Sequence, residues 1–195
     1  GKGPLALRIA LAGGSGFDVT EQGTEHRVAA WVVKDPSDVE GVARLGPDPL
    51  SPLITLEAFS ELLAGSSSNL KTVLVDQSLI AGVGNAYSDE VLHAARLSPF
   101  KSASKLSPEE VERLYAALIG ILADAVERSV GLPAKGLKAE KRSGMSVHGR
   151  AGLPCPVCGD TVLEVSLANR SFQYCPTCQT GGRHYADRRL SRLLK

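Results

Sequence analysis

Apolar and polar residues alternate near the start of the chain, recur at helical spacing through its middle, and alternate again near its end. Within residues 4–34, PLALRIAL and RVAAWVVK read as strands, with the flexible GGSG and the turn-like EQGT between them. Three short strands make a poor independent sheet, so this region is expected to be part of a sandwich or barrel whose other half lies elsewhere. GPDPLSP at residues 46–52 is proline-rich and reads as a linker and boundary.

Helical patterning follows. Thr55 can cap LEAFSELLA, which Gly65 ends. A second short helix is expected over 69–77, then the turn AGVGN, then a helix over about 84–95 that Ser98-Pro99 stops. Ser107-Pro108-Glu109-Glu110 is a capping box with proline at the first helical position. Val111, Leu114, Tyr115, Leu118, Leu122, Ala125 and Val126 form the apolar stripe of the helix it opens, which Gly131 ends. This is a core helix, and its Tyr115 reads as packing. PAKGLKAEKRSGM, residues 133–145, is basic and poorly patterned and reads as a loop, either flexible or facing a nucleic acid. TVLEVSL and SFQY then have the β-branched and aromatic content of two hairpin strands. The tail RHYADRRLSRLLK carries Leu190, Leu193 and Leu194 at helical spacing.

The expected fold class is α+β: a partial N-terminal β-sandwich over 1–50, a helical domain over 51–145, and a C-terminal ribbon hairpin over 146–195. With 43% hydrophobic and 22% charged residues, the composition is that of a soluble globular chain. No apolar run reaches the ~18 residues of a membrane span, so no membrane partner is expected. No secretory leader is present, so a cytoplasmic monomer is expected. The first residue is Gly1 and the single methionine is Met145, so the chain reads as a processed product or a piece of something longer.

Charge divides unevenly. Residues 1–130 hold 11 Lys/Arg against 17 Asp/Glu, whereas residues 131–195 hold 11 against 4. A basic end on a near-neutral chain suggests a polyanion contacted there, the alternative being a solvated face.

All four cysteines fall in one pattern, Cys155-Pro-Val-Cys158 and, sixteen residues on, Cys175-Pro-Thr-Cys178. Each pair puts two thiolates on a tight turn, and four soft sulfurs with no open position suit a structural Zn2+. Two disulfides are the alternative, which the lack of a secretory signal disfavours. A closed four-sulfur site cannot activate water, so this zinc folds a ribbon and does no chemistry. Asn169-Arg170-Ser171 falls at or near the hairpin tip, where Arg170 is placed for a backbone phosphate or is an ordinary turn residue.

AGVGN asks which phosphate it holds. A dinucleotide fold needs a third glycine and a preceding strand, and a Walker loop needs Gly-Lys-Ser/Thr; neither is here. A helix–two-turns–helix would leave the N–H groups of Gly84 and Asn85 unpaired beside an amide side chain, with Lys71 one element back. That set suits one or two phosphodiesters of DNA, the alternative being a turn needed only for helix packing.

These residues carry a resemblance. DQSLIAGVGNAYSDEVL, the upstream LGPDPL and the ribbon ending FQYCPTCQ resemble the formamidopyrimidine-DNA glycosylase / endonuclease VIII family, over roughly Gly16 to Gln179, and closely resemble its actinobacterial members. The resemblance implies base-excision repair of double-stranded DNA holding a damaged base or abasic site. In that family a flipped base is excised and the strand is nicked by β/δ-elimination. It implies phosphate contacts at Lys71, Gly84, Asn85 and Arg170. It places Glu90 where a carboxylate faces the catalytic amine, a position equally suited to a structural pair. Arg27, in His26-Arg27-Val28, matches a loop that probes the duplex, with Val28 where the family has an aromatic wedge.

The front departs from the pattern. The family's nucleophile is the secondary amine of an N-terminal proline followed by glutamate. This chain reads Gly-Lys-Gly-Pro, and Pro4 has an amide nitrogen. The segment between Gly131 and Val147 is also shorter than the loop that covers 8-oxoguanine in some members. The expectation is DNA binding with little or no excision by these 195 residues alone, which leaves no catalytic residue to assign. Two other readings stay open: a non-catalytic zinc-dependent DNA-binding module, and an RNA-binding zinc-ribbon protein.

Overall fold

The computed structural model describes residues 5–21, 26–167 and 170–185. It divides into two compact units, residues 1–43 and 44–195.

In the first unit β1 (Leu5–Ala10) pairs antiparallel with β2 (Gly16–Thr20), in a register running from Leu5 opposite Thr20 to Ala10 opposite Gly16. Gly13 and Gly14 have φ of +98° and +82°, and a side chain there would strain the turn between the strands. Arg8 and Asp18, paired across the ladder, form an exposed ion pair at 2.7 Å. RVAAWVVK forms no strand in the structure, contrary to expectation: its backbone runs without a ladder partner. No described residue of this unit is buried, and Trp31 is 63% exposed. A single turn, α1 (Glu40–Ala43), ends the unit.

The second unit holds the core. Residues 44–50 join the helical body: Gly46 N–H donates to the Gln77 carbonyl and Ala81 N–H to that of Pro47. A Cβ on Gly46 would lie 2.5 Å from the Leu79 carbonyl carbon, so only glycine permits this approach. Ribbon and helices lie together in this unit.

Thr55 caps α2 (Leu56–Ala64) by accepting from Ala58 N–H, and Asn69 caps α3 (Leu70–Val75) by accepting from Thr72 N–H. α4 (Asn85–Ala94) is buried at seven of its ten positions and contacts α3, α5, β4 and α7. The capping box opens α5 (Pro108–Ser129). Phe59, Leu63, Leu70, Leu74, Leu92, Leu114 and Leu118 fill the space among these helices. Tyr115 is packing, as expected: its ring meets Phe59 and its hydroxyl donates to the Ile54 carbonyl.

Residues 134–143 form a helix, α6 (Ala134–Ser143), in place of the expected loop. Leu, Lys, Ala and Glu are good helix formers, and Glu140 pairs with Arg128 of α5, a contact with no local pattern. β3 (Leu163–Leu167) and β4 (Arg170–Tyr174) make the ribbon hairpin, and α7 (Pro176–Thr180) follows. Phe100 fastens the ribbon to the helices, stacked on Tyr185 at 3.8 Å and edge-on to Tyr174 at 5.7 Å. Among the described residues no helix is long and apolar enough to cross a membrane. Residues 186–195 of the basic tail lie outside the described residues.

One consequence concerns acid. Burial pushes the Glu110 carboxyl up, but the Lys101 ammonium and the Ser107 N–H outweigh it and hold it below its ordinary value. A lowered carboxyl contributes stability above its unfolded value and loses it as pH falls through the folded one. Glu110→Gln should therefore flatten the acid limb of the stability–pH curve while costing about 1 kcal/mol at neutral pH, near the worth of a cap. Urea titrations from pH 3 to 7 would test this; a parallel acid limb in the variant would exclude the role.

Candidate nucleic-acid interface and metal centre

The turn between α3 and α4 is braced from within. Asp76 Oδ1 accepts from Ser78 N–H and Oγ–H. The Gln77 amide donates to the Val83 carbonyl at 2.9 Å and accepts from Gly82 N–H at 2.8 Å. Gly84 is the N-cap residue just before α4, is exposed, and supplies no side-chain cap. The first-turn N–H groups of a helix have no intrahelical partner, and they carry the positive end of its dipole. A Cβ on Gly84 would meet nothing within 4 Å.

Lys71, an expected phosphate contact, is 4% exposed and lies under the turn. Its Nζ donates to Asp89 Oδ1 at 2.5 Å, Ser88 Oγ at 2.8 Å and the Asn85 carbonyl at 2.8 Å. These three bonds use its ammonium hydrogens, so it supports the turn from behind. The other Asp89 oxygen lies 2.7 Å from His148 Nδ1.

Asn85 leans on the ribbon, donating from Nδ2 to the Ser171 carbonyl at 2.6 Å. Its Oδ1 is buried without a hydrogen-bond partner. A phosphate offers only acceptors, so it would take a remaining amide N–H and not Oδ1. Glu90, 6% exposed, accepts from the N–H groups of Ser146, Val147 and His148. Arg170 opens β4 next to Ser171, so the end of the hairpin and the start of α4 adjoin through Asn85. The Arg170 side chain and Asn169 lie outside the described residues, as do Gly1 and Pro4. Arg27 belongs to the first unit, where its N–H and that of Val28 donate to Glu21 and hold that carboxyl below its ordinary value.

The four cysteines converge. Their sulfurs all lie within 4.8 Å of one another, with Cys155–Cys178 at 3.9 Å and Cys158–Cys175 at 3.4 Å. A tetrahedral zinc with bonds near 2.3 Å requires sulfurs about 3.8 Å apart, so the set fits. All four thiols are free, which removes the disulfide alternative from this structure. Burial pushes the Cys175 thiol up to about 11 and the Cys178 thiol up as well. The Asp160 N–H and the Cys175 thiol hold Cys158 below its ordinary value. The knuckles are shaped by the backbone: Gly159 N–H donates to the Cys155 carbonyl, and Asp160 accepts from Thr177 N–H and Oγ1–H.

Sequence reasoning missed Asp89, His93, His148 and Gln179, all of which hold this region together. Only the spacing of Asp89 and His93, four residues apart on one helix, was a signal.

A helix–two-turns–helix joined edge to edge with a four-cysteine ribbon defines a class of nucleic-acid-binding zinc protein. Residues 45–134 match the formamidopyrimidine-DNA glycosylase H2TH domain, and residues 152–181 match the zinc finger found in FPG and IleRS. An uncharacterized formamidopyrimidine-DNA glycosylase-like protein of Mycobacterium tuberculosis is 60% identical over 151 residues, 77% of this chain and 94% of that protein. The crystal structure of MutM (Fpg) from Thermus thermophilus superposes with a TM-score of 0.66 at 41% identity, covering 75% of this chain and 57% of that one. A complex of Lactococcus lactis Fpg with abasic-site DNA gives a TM-score of 0.62 at 30% identity, over 70% and 52% of the two chains. The chain belongs to the formamidopyrimidine-DNA glycosylase family. It spans about half the length of the relatives that are named formamidopyrimidine-DNA glycosylases.

Two measurements follow from this geometry. Zinc should bind at one ion per chain, and a strong chelator should abolish amide protection in β3 and β4 while the cluster around Phe59 and Leu114 stays folded. A ribbon that keeps its protection without metal would contradict the site. Asp89→Asn leaves Lys71 buried without its counter-charge, and should cost about 3–5 kcal/mol in urea unfolding. A loss under about 1 kcal/mol would fall within the range of an exposed ion pair and deny the buried one its role.

Proposed function

We propose that this chain grips the backbone of damaged or abasic double-stranded DNA through two adjoining elements. One is the uncapped start of α4 at Gly84–Asn85, and the other is the ribbon end that carries Arg170. The observation that carries the reading is Asn85, which begins α4 and at the same time bonds Ser171 of the ribbon. The two elements are thereby held at one place, as consecutive phosphates of one strand require. Backbone N–H groups at a helix start bind phosphate oxygens, and such contacts set register without reading sequence. Lys71 and Asp89 hold the turn in shape and touch no DNA. Arg27 is a further candidate contact, carried by the first unit.

No nucleophile is assigned among the described residues, so binding is proposed for this chain and excision is not.

Gly84→Val tests the contact, since a Cβ added there meets nothing within 4 Å. Thermal stability should change little, and affinity for an abasic-site duplex should fall at least tenfold. Unchanged affinity would remove the α4 start from the interface. Arg170→Ala should weaken binding to all sequences alike and lower the slope of log K against log salt by about 0.9, one phosphate. Borohydride trapping on the same duplex separates the two classes. Binding without a trapped adduct is expected, and an adduct followed by strand cleavage would make the chain an enzyme.

A further inference from the structure

α4 and the turn after it meet the metal centre twice. His93 is buried, and its Nε2 lies 3.3 Å from Cys155 Sγ. Just past the helix, the Leu97 carbonyl accepts from Gln179 Nε2 at 3.0 Å, while Gln179 Oε1 accepts from Cys175 N–H at 2.8 Å. The first contact reaches one knuckle and the second reaches the other.

We propose that His93 is a positioning residue of the metal centre, donating its Nε2–H to the metal-bound Cys155 sulfur. Four thiolates around a divalent ion leave two excess negative charges, and here they sit against packed side chains. An N–H donor that draws on one sulfur stabilises that charge and fixes the ligand's rotamer. A neutral imidazole supplies the donor when its proton is on Nε2. The other tautomer would turn a lone pair toward the thiolate, so metal loading selects the donating form without any change of charge. His93 lies on the helix that begins at Gly84–Asn85, so the metal's outer shell and the proposed phosphate-facing turn share one rigid element. The assignment concerns the zinc alone and stands whether or not the chain binds DNA.

His93→Phe keeps the bulk and removes the donor, whereas His93→Gln keeps an N–H. Zinc dissociation constants measured by chelator competition should rise about tenfold or more for the phenylalanine variant, the usual worth of an outer-shell partner. The glutamine variant should recover most of that loss. With Co2+ in place of zinc, the sulfur-to-metal charge-transfer bands should move to lower energy in His93→Phe only. Equal weakening in both variants would reduce His93 to packing, and parent-like affinity and bands in His93→Phe would deny it any role. The unsubstituted protein gives an answer even if that variant does not fold. Loaded with 113Cd, it should show scalar coupling between the metal and the His93 Nε2 proton, and absence of that coupling would overturn the proposal.

Discussion

Asp89 is 1% exposed, and a carboxyl group so deeply buried is tolerated only if partners replace the water it has lost. Lys71 of α3 and His148 from the approach to the ribbon do so, one at each oxygen. Three separate parts of the chain are thereby committed to one point. Ser88 and Glu90, on either side in sequence, extend the commitment: Ser88 takes Lys71, and Glu90 takes three successive backbone N–H groups at 146–148. α4 cannot rotate or slide without leaving a buried charge unmatched. The Gly84–Asn85 turn inherits that rigidity, and a phosphate site built from backbone N–H groups needs it more than one built from long side chains.

The ribbon is held differently. Among the described residues, the apolar side chains that its hairpin buries are Val165, Phe172 and Tyr174, with Phe100 and Tyr185 packed alongside. So small an apolar cluster does not fold a domain by itself. Metal binding supplies the difference, with a free energy of the order of 10 kcal/mol or more for a structural zinc. The helical body then gives the ribbon its orientation through Phe100, Asn85, His93 and Gln179. Fold and cofactor are thus divided between the two parts: the helices persist on their own core, and the ribbon depends on its ion.

Much of this was legible in the sequence because the signals are local. Thr55 and Ser107 cap where they were expected to, and the stripe of α5 faces the core. The cysteine spacing sufficed to identify the metal site. What escaped was tertiary. A lysine on a short helix reads as solvent-facing, and Lys71 is buried only because Asp89 arrives eighteen residues later. α6 lacks an apolar stripe, and Glu140 joins it to Arg128 of α5. RVAAWVVK has a strand's composition, but composition creates no ladder without a neighbouring strand. Glu90 was legible as a candidate and not as an answer, since a buried carboxylate serves chemistry and scaffolding with the same atoms.

Trp31 is the chain's single tryptophan and lies in the first unit, while all four tyrosines lie in the second. The two fluorophores are therefore segregated by unit. Indole emission, from a largely solvated ring, reports on the N-terminal hairpin region and is blind to the helical core. Tyrosine absorbance carries the other half of the signal: Tyr115 is set among the helices, and Tyr174 and Tyr185 lie where the ribbon docks on them. A denaturation curve followed by tryptophan alone would describe the part of the molecule with no buried side chain among its described residues, and would miss the part that folds cooperatively.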